Sequence, residues 1–262
     1  MSLDNALWLA GIVTEAVVLG LLVYRRVWRK LPVFCLYCAW DLFSTVAAYP
    51  IYRYFPAIYL TAYLTNIVVD SVLEFGVLVE LAWSVFRPFR TSLPRGAVVV
   101  VCGLVLALGA AIWPFAAIPG FGNLPPEFHL LMRLEQTTAI LRILLFLALA
   151  ACSQLLSIGW RDRELQVATG LGFYSLVSLA VAMLHTHQKM GALYSHLQQV
   201  VVASGLCTLL YWVVSFSQKE AVRREFSPQM QSLLLAVAGT ARTTRITLAD
   251  SAAAKKGKPG ER

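Results

Sequence analysis

The chain has 262 residues, of which 58% are hydrophobic and only 14% charged, and its mean hydropathy is +0.68. Soluble globular domains are nearer to roughly half apolar and about a quarter charged, so this composition excludes one: the apolar excess must face something other than water. The net charge of +8 sits in short loops and a tail, where attraction to anionic lipid headgroups explains it without nucleic acid.

A hydrocarbon core of roughly 30 Å takes about 20 apolar residues per spanning helix. Such runs recur at 5–24, 33–51, 57–86, 97–117, 129–159, 165–185 and 192–216. They predict an all-α, polytopic seven-transmembrane helix bundle over residues 1–217. The third and fifth runs exceed the minimum length and are expected to tilt. The first is not expected to be a cleavable signal, because no basic region precedes it and no small-residue cleavage site follows it. Trp8, Tyr24, Trp28, Trp83, Trp113 and Trp160 fall at or near the ends of these runs, as interfacial anchors do. Beyond the last run, Ser227 and Pro228 read as the N-cap and first residue of a short interfacial helix within 218–240. Residues 241–262 read as a disordered basic tail.

Orientation follows from the basic residues. Placing the 25–30 loop inside puts Arg25, Arg26, Arg29, Lys30, Arg87, Arg90, Arg95, Arg161, Arg163, Lys219, Arg223 and Arg224 on that side, against Arg53 and Lys189 on the other. This positive-inside asymmetry sets the N-terminus outside and the C-terminus in the cytoplasm.

Charges inside the apolar runs carry the functional question. Glu15 lies in the first, Asp41 in the second, Asp70, Glu74 and Glu80 in the third, and Arg142 in the fifth. At about 1.5 Å per residue from the basic ends, Glu15, Asp41, Asp70, Glu74 and Arg142 lie near mid-membrane or in the outer half. At 100° per residue, Tyr63, Asn66, Asp70, Glu74 and Val77 share one stripe of the third helix, and Glu135, Thr138, Arg142 and Ser153 one stripe of the fifth. Each embedded charge costs at least ~2.5–3.5 kcal/mol, so these groups should turn inward and find partners. The pairing expected is Arg142 with Asp70 or Glu74. Glu80 lies off the stripe near the cytoplasmic charges, where Arg87 or Arg90 can neutralise it. Two readings follow: the pairs only fix the bundle, or Glu15, Asp41, Asn66, Asp70, Glu74 and Arg142 line a polar pocket for a ligand or ion. The second draws on the mismatch of one arginine with four carboxylates, whose surplus needs a proton, water or a cation.

The remaining chemistry-bearing residues are less specific. His129, His185, His187 and His196 fall at the outer ends of runs five to seven, and with Glu135 could in principle ligate zinc or copper. Yet His185 and His187, two apart, diverge on a helix, so they are weak metal candidates. Cys35-Leu36-Tyr37-Cys38 has CxxC spacing, but Cys102, Cys152 and Cys207 stand singly with no second pair to relay electrons, so buried small residues explain them better. There is no P-loop, dinucleotide fingerprint, HExxH or nucleophile motif, and no lysine in the last run to hold a retinal. No cofactor is expected, and no catalytic residue.

The segments LPVFCLYCAWDLFSTV and DSVLEFGVLVELAWSVFRPF resemble a family of bacterial seven-span integral membrane proteins with no known activity. The resemblance covers about the first third of the chain. It implies a bacterial cytoplasmic (inner) membrane and carries over no functional residue. The expected function is therefore a non-catalytic sensory or ligand- or ion-binding module. It would sit in the lipid bilayer, take a small ligand or cation, and signal through a cytoplasmic or membrane protein partner. The alternative is a proton- or cation-coupled transporter or channel working through the embedded carboxylates.

Overall fold

The computed structural model describes residues 3–85, 97–116, 126–152, 162–186 and 192–218. These form seven helices: α1 (Leu3–Tyr24), α2 (Pro32–Tyr54), α3 (Pro56–Val85), α4 (Ala97–Ile112), α5 (Pro126–Cys152), α6 (Arg163–Thr186) and α7 (Ala192–Ser217). The expected interfacial helix and tail, beyond Gln218, lie outside the described residues. α2, α3 and α5 each open on a proline, whose fixed φ and missing N–H suit the first helical position. A single residue, Phe55, separates α2 from α3, and its N–H still bonds to the Ile51 carbonyl at 2.9 Å. α1 ends at Tyr24, and two residues on Arg26 takes a left-handed backbone (φ 55°, ψ 30°) of the kind that commonly follows a helix end at glycine. A 3-10 turn, Val27–Arg29, then leads into α2.

Among the described residues, five helices are long and apolar enough to cross a membrane: Leu7–Tyr24, Pro32–Tyr54, Arg133–Ala151, Arg163–Leu184 and Leu197–Ser217. α4 contributes a shorter apolar stretch, Val98–Ile112. α3 runs for 30 residues with Asp70, Glu74 and Glu80 along it. The fold is thus all-helical and compatible with a multi-pass membrane protein.

α1, α2, α3, α5, α6 and α7 pack in that cyclic order, and α7 closes the ring against α1; α4 lies outside, against α3 and α5. Side-chain placement differs from that of a soluble protein in having many large apolar side chains outside and several polar ones inside. Val72, Val99, Val100, Leu104, Leu147, Leu176 and Val214 are exposed, whereas Glu74, Thr138, Arg142, Ser175, Ser204 and Thr208 are buried. Apolar side chains that face outward around a partly polar interior suit a lipid surround.

One continuous hydrophobic core joins Val18 and Leu22 of α1, Phe34 and Cys38 of α2, Val77 and Leu81 of α3, Leu149 of α5, Leu165, Val167, Ala168 and Leu171 of α6, and Trp212 and Phe216 of α7. All of these belong to one end of the bundle, the end bearing the α1–α2 turn. The core is dense there. A Cβ on Gly170 would fall 2.3 Å from Trp212 Nε1, and one on Gly172 2.7 Å from Phe146 Cβ, so α6 approaches its neighbours only because these positions are glycine.

Candidate ligand site in the bundle interior

The embedded charges gather in the half of the ring away from that core. Arg142 of α5 donates from its Nη1 to Glu74 Oε1 of α3 at 2.5 Å, with both side chains almost wholly buried. Of the two partners the sequence allows for Arg142, Glu74 holds the direct contact. The guanidinium also sits over the Tyr174 ring of α6, 5.9 Å from its centroid.

Around this pair the other acids are within electrostatic reach of one another. Asp70, one turn from Glu74, interacts with Glu74, Asp41, Arg142 and Glu135. Asp41 of α2 interacts with Glu15 of α1 and with Glu74. Tyr37 of α2, a turn from Asp41, interacts with Asp41, Asp70, Glu74 and Arg142. Arg142 is thus within electrostatic reach of Glu74, Asp70 and Glu135, and Asp41 and Glu15 continue the chain of acids from Glu74 among the described residues.

Several polar atoms in this region are shielded from solvent yet have no hydrogen-bond partner among the described residues. They include the acceptors Glu15 Oε2, Asn66 Oδ1 and Asp70 Oδ1 and the donors Trp40 Nε1 and Arg142 Nε. Buried polar groups are almost always paired, and an unpaired one costs ~1–3 kcal/mol. The arrangement can thus accept hydrogen bonds and positive charge from a small guest.

The sequence-predicted positions divide clearly. Glu15, Asp41, Asp70, Glu74 and Arg142 come together, and Asn66 lies one turn from Asp70 on the same face. Tyr37 and Tyr174 also join the cluster, which neither polarity nor spacing signals in advance. The backbones of residues 129, 185 and 196 lie on α5, α6 and α7; the side chains of His129, His185 and His196, and all of His187, lie outside what is described. Among the described residues no group of three His, Cys, Asp or Glu side chains could hold a metal ion. Cys35, Cys38, Cys102 and Cys207 are free thiols, and the first two are buried in the core.

Glu80 needs a different account from the one its position suggests. Its carboxylate spans the start of α2: Val33 N–H donates to Oε1 at 3.0 Å and Phe34 N–H to Oε2 at 2.9 Å. Helix N-termini carry unpaired N–H groups and partial positive charge, so a carboxylate from a neighbouring helix is a capping group there. Arg87 and Arg90, its expected partners, lie outside the described residues.

A second cap secures α7. Arg163 donates to the Ser215 carbonyl and to the Gln218 carbonyl, both at 2.7 Å, and to Gln166 Oε1 at 2.9 Å. Arg25 donates to the Ser217 carbonyl. Two cations thus hold the unpaired carbonyls of a helix C-terminus.

No family model matches the chain, and no curated protein or solved structure matches it either. The resemblance of the first third of the chain to bacterial seven-span proteins gains nothing from these comparisons. What the fold and site define is a class: an all-helical protein with an acid-rich interior, compatible with a multi-pass membrane protein.

Proposed function

We propose that the chain is a seven-span protein of the cytoplasmic (inner) membrane, N-terminus outside and C-terminus cytoplasmic. In this reading it acts as a non-catalytic sensory or binding module. The interior cluster takes a proton or a small cation, and the occupied state is read by a protein partner at the cytoplasmic loops. The observation that supports this best is the shielded, unpartnered oxygen on each of Glu15, Asn66 and Asp70, beside five carboxylates and one arginine. A purely structural set of ion pairs would leave neither a surplus of acids nor open acceptors in low dielectric.

Titrating the purified protein with sodium, potassium and tetramethylammonium salts, followed by tryptophan fluorescence, tests the binding reading. Saturable changes should be lost in Asp70→Asn. An absence of any cation- or pH-dependent change in wild type would sink it. Turnover of a substrate by the purified protein alone would overturn the non-catalytic reading.

A second reading, a proton- or cation-coupled transporter, is favoured by the electrostatic chain from Glu15 through Asp41 to Glu74 and Asp70 across α1, α2 and α3. Flux into liposomes separates the two: transport requires wild-type flux that Glu74→Gln abolishes, and the sensory reading requires no flux in either.

A further inference from the structure

Burial changes steadily along the inward stripes of three neighbouring helices. On α3, Tyr63 is 48% exposed, Asn66 and Asp70 are half-buried, Glu74 is 8% exposed, Val77 1% and Leu81 0%. These residues lie within about 80° of one another at 100° per residue, so the change runs along one face of the helix. α1 repeats it from half-buried Glu15 to Val18 at 1% and Leu22 at 0%. α2, running the opposite way, repeats it from Phe34 at 0% and Cys38 at 7%, through half-buried Asp41, to Tyr52 at 66%. Among the described residues of α1, α2 and α3, packing is therefore tight at the α1–α2 turn end and loosens toward the α2–α3 hairpin end, with the acid cluster between.

The hairpin end has a chemistry of its own. Tyr52 meets Tyr59 edge to face with ring centroids 5.5 Å apart, and Tyr59 stacks on Tyr63 at 6.3 Å. This row of rings leads down α3 to Asn66 and Asp70, and exposed Glu135 stands within electrostatic reach of Tyr63, beside the same path. At its foot lies Arg142, 5% exposed, with Nε unpartnered among the described residues. Ring faces attract organic cations, and carboxylates beyond them draw the cation inward. A small ammonium ion brings donors for Asp70 Oδ1 and Asn66 Oδ1, and accompanying water brings an acceptor for Arg142 Nε.

Resting on the reading of the cluster as a binding site, we propose that it is reached from one end only. Access runs through a vestibule at the α2–α3 hairpin end lined by Tyr59, Tyr63, Asn66 and Glu135, which admits small organic ammonium ions. The core at Phe34, Leu81 and Trp212 blocks passage through to the other end.

The test is modification by a membrane-impermeant reagent, trimethylammonium-ethyl methanethiosulfonate, in sealed vesicles, with modified sites assigned by peptide mass. Arg53→Cys marks the hairpin side and Lys30→Cys the turn side, so the two faces are told apart whichever way the protein inserts. Asn66→Cys, or Tyr63→Cys if the first does not fold, should react from the side that labels Arg53→Cys and not from the other. Native Cys35 and Cys38, within the core, should react only after denaturation. Relative to the Arg53→Cys reference, Asn66→Cys should also favour this cationic reagent over neutral methyl methanethiosulfonate by about tenfold, and adding Asp70→Asn should abolish the preference. Modification of Asn66→Cys from the turn side, modification from neither side, or modification of Cys38 in the folded protein would overturn one-ended access. Equal reactivity toward charged and neutral reagents would overturn the ammonium preference. Sidedness is read without ligand, so a protein labelled from one side but showing no cation titration would sink the binding reading and leave the vestibule standing.

Discussion

Replacing Arg142 should destabilise the protein far more than replacing its partner. Arg142 and Glu74 are 5% and 8% exposed and share a 2.5 Å contact, so both charges are taken out of solvent. Removing one partner of a buried ion pair costs about 3–5 kcal/mol, because the other is left uncompensated. Arg142→Met leaves Glu74 among Asp70, Asp41 and Glu135 without its one ion-pair partner among the described residues, the full form of that penalty. Glu74→Gln keeps an oxygen for Nη1, and Arg142 still feels Asp70, so its cost is about 1–2 kcal/mol. At about 2–4 °C per kcal/mol for a chain of this size, Arg142→Met should lower Tm by roughly 10 °C and Glu74→Gln by only a few degrees. Thermal unfolding in detergent micelles, followed by the fluorescence of the seven tryptophans, measures both. The double variant Arg142→Met/Glu74→Met should recover much of the loss, as apolar replacement of a whole buried pair often does. If Arg142→Met costs no more than Glu74→Gln, the arginine does not serve the whole acid cluster and the electrostatic account of the interior is wrong.

Glu80→Ala should cost about 2–3 kcal/mol by stripping two charge-assisted bonds from the start of α2, and Glu80→Gln about half of that. Hydrogen exchange at the Val33 and Phe34 amides should rise in the same order, and unchanged protection would refute the cap. Gly170→Ala forces a methyl into the Trp212 indole, whose Nε1 is held by the Gln166 carbonyl at 3.2 Å. A loss of about 1–3 kcal/mol is expected, read as a lower Tm and a shifted tryptophan emission. Gly76→Ala meets only the end of one side chain, Val33 Cγ1 at 2.9 Å, and should cost less than Gly170→Ala. Arg163→Gln should fray the last turn of α7, raising hydrogen exchange there without disturbing α2 or α3.

Helix positions were legible because hydropathy is a local property. The apolar runs at 165–185 and 192–216 lie within Arg163–Thr186 and Ala192–Ser217, and that at 57–86 overlaps Pro56–Val85 almost completely. The stripe of Tyr63, Asn66, Asp70 and Glu74 was legible for the same reason, since 100° per residue places them on one face of any straight helix. Glu80 shows where such reasoning ends. Its distance from Asp70 around the helix marks it as peripheral, but its partners are backbone N–H groups 46 and 47 residues away, invisible to any side-chain pattern. Arg25 and Arg163 likewise count in sequence only as basic residues on one side, and in the fold they hold the carbonyls of α7.

The sequence alone determined that the chain is a set of apolar helices with a few charges that must turn inward, because burial cost is written into each residue type and helical period is the same everywhere. Only the tertiary structure decided that Glu74 rather than Asp70 takes Arg142, that Tyr37 and Tyr174 join them, and that dry packing gathers at one end with most of the embedded acids lying toward the middle of the bundle. Those outcomes depend on the order of helices around the ring and on their relative heights, and both are set by contacts between segments far apart in the chain.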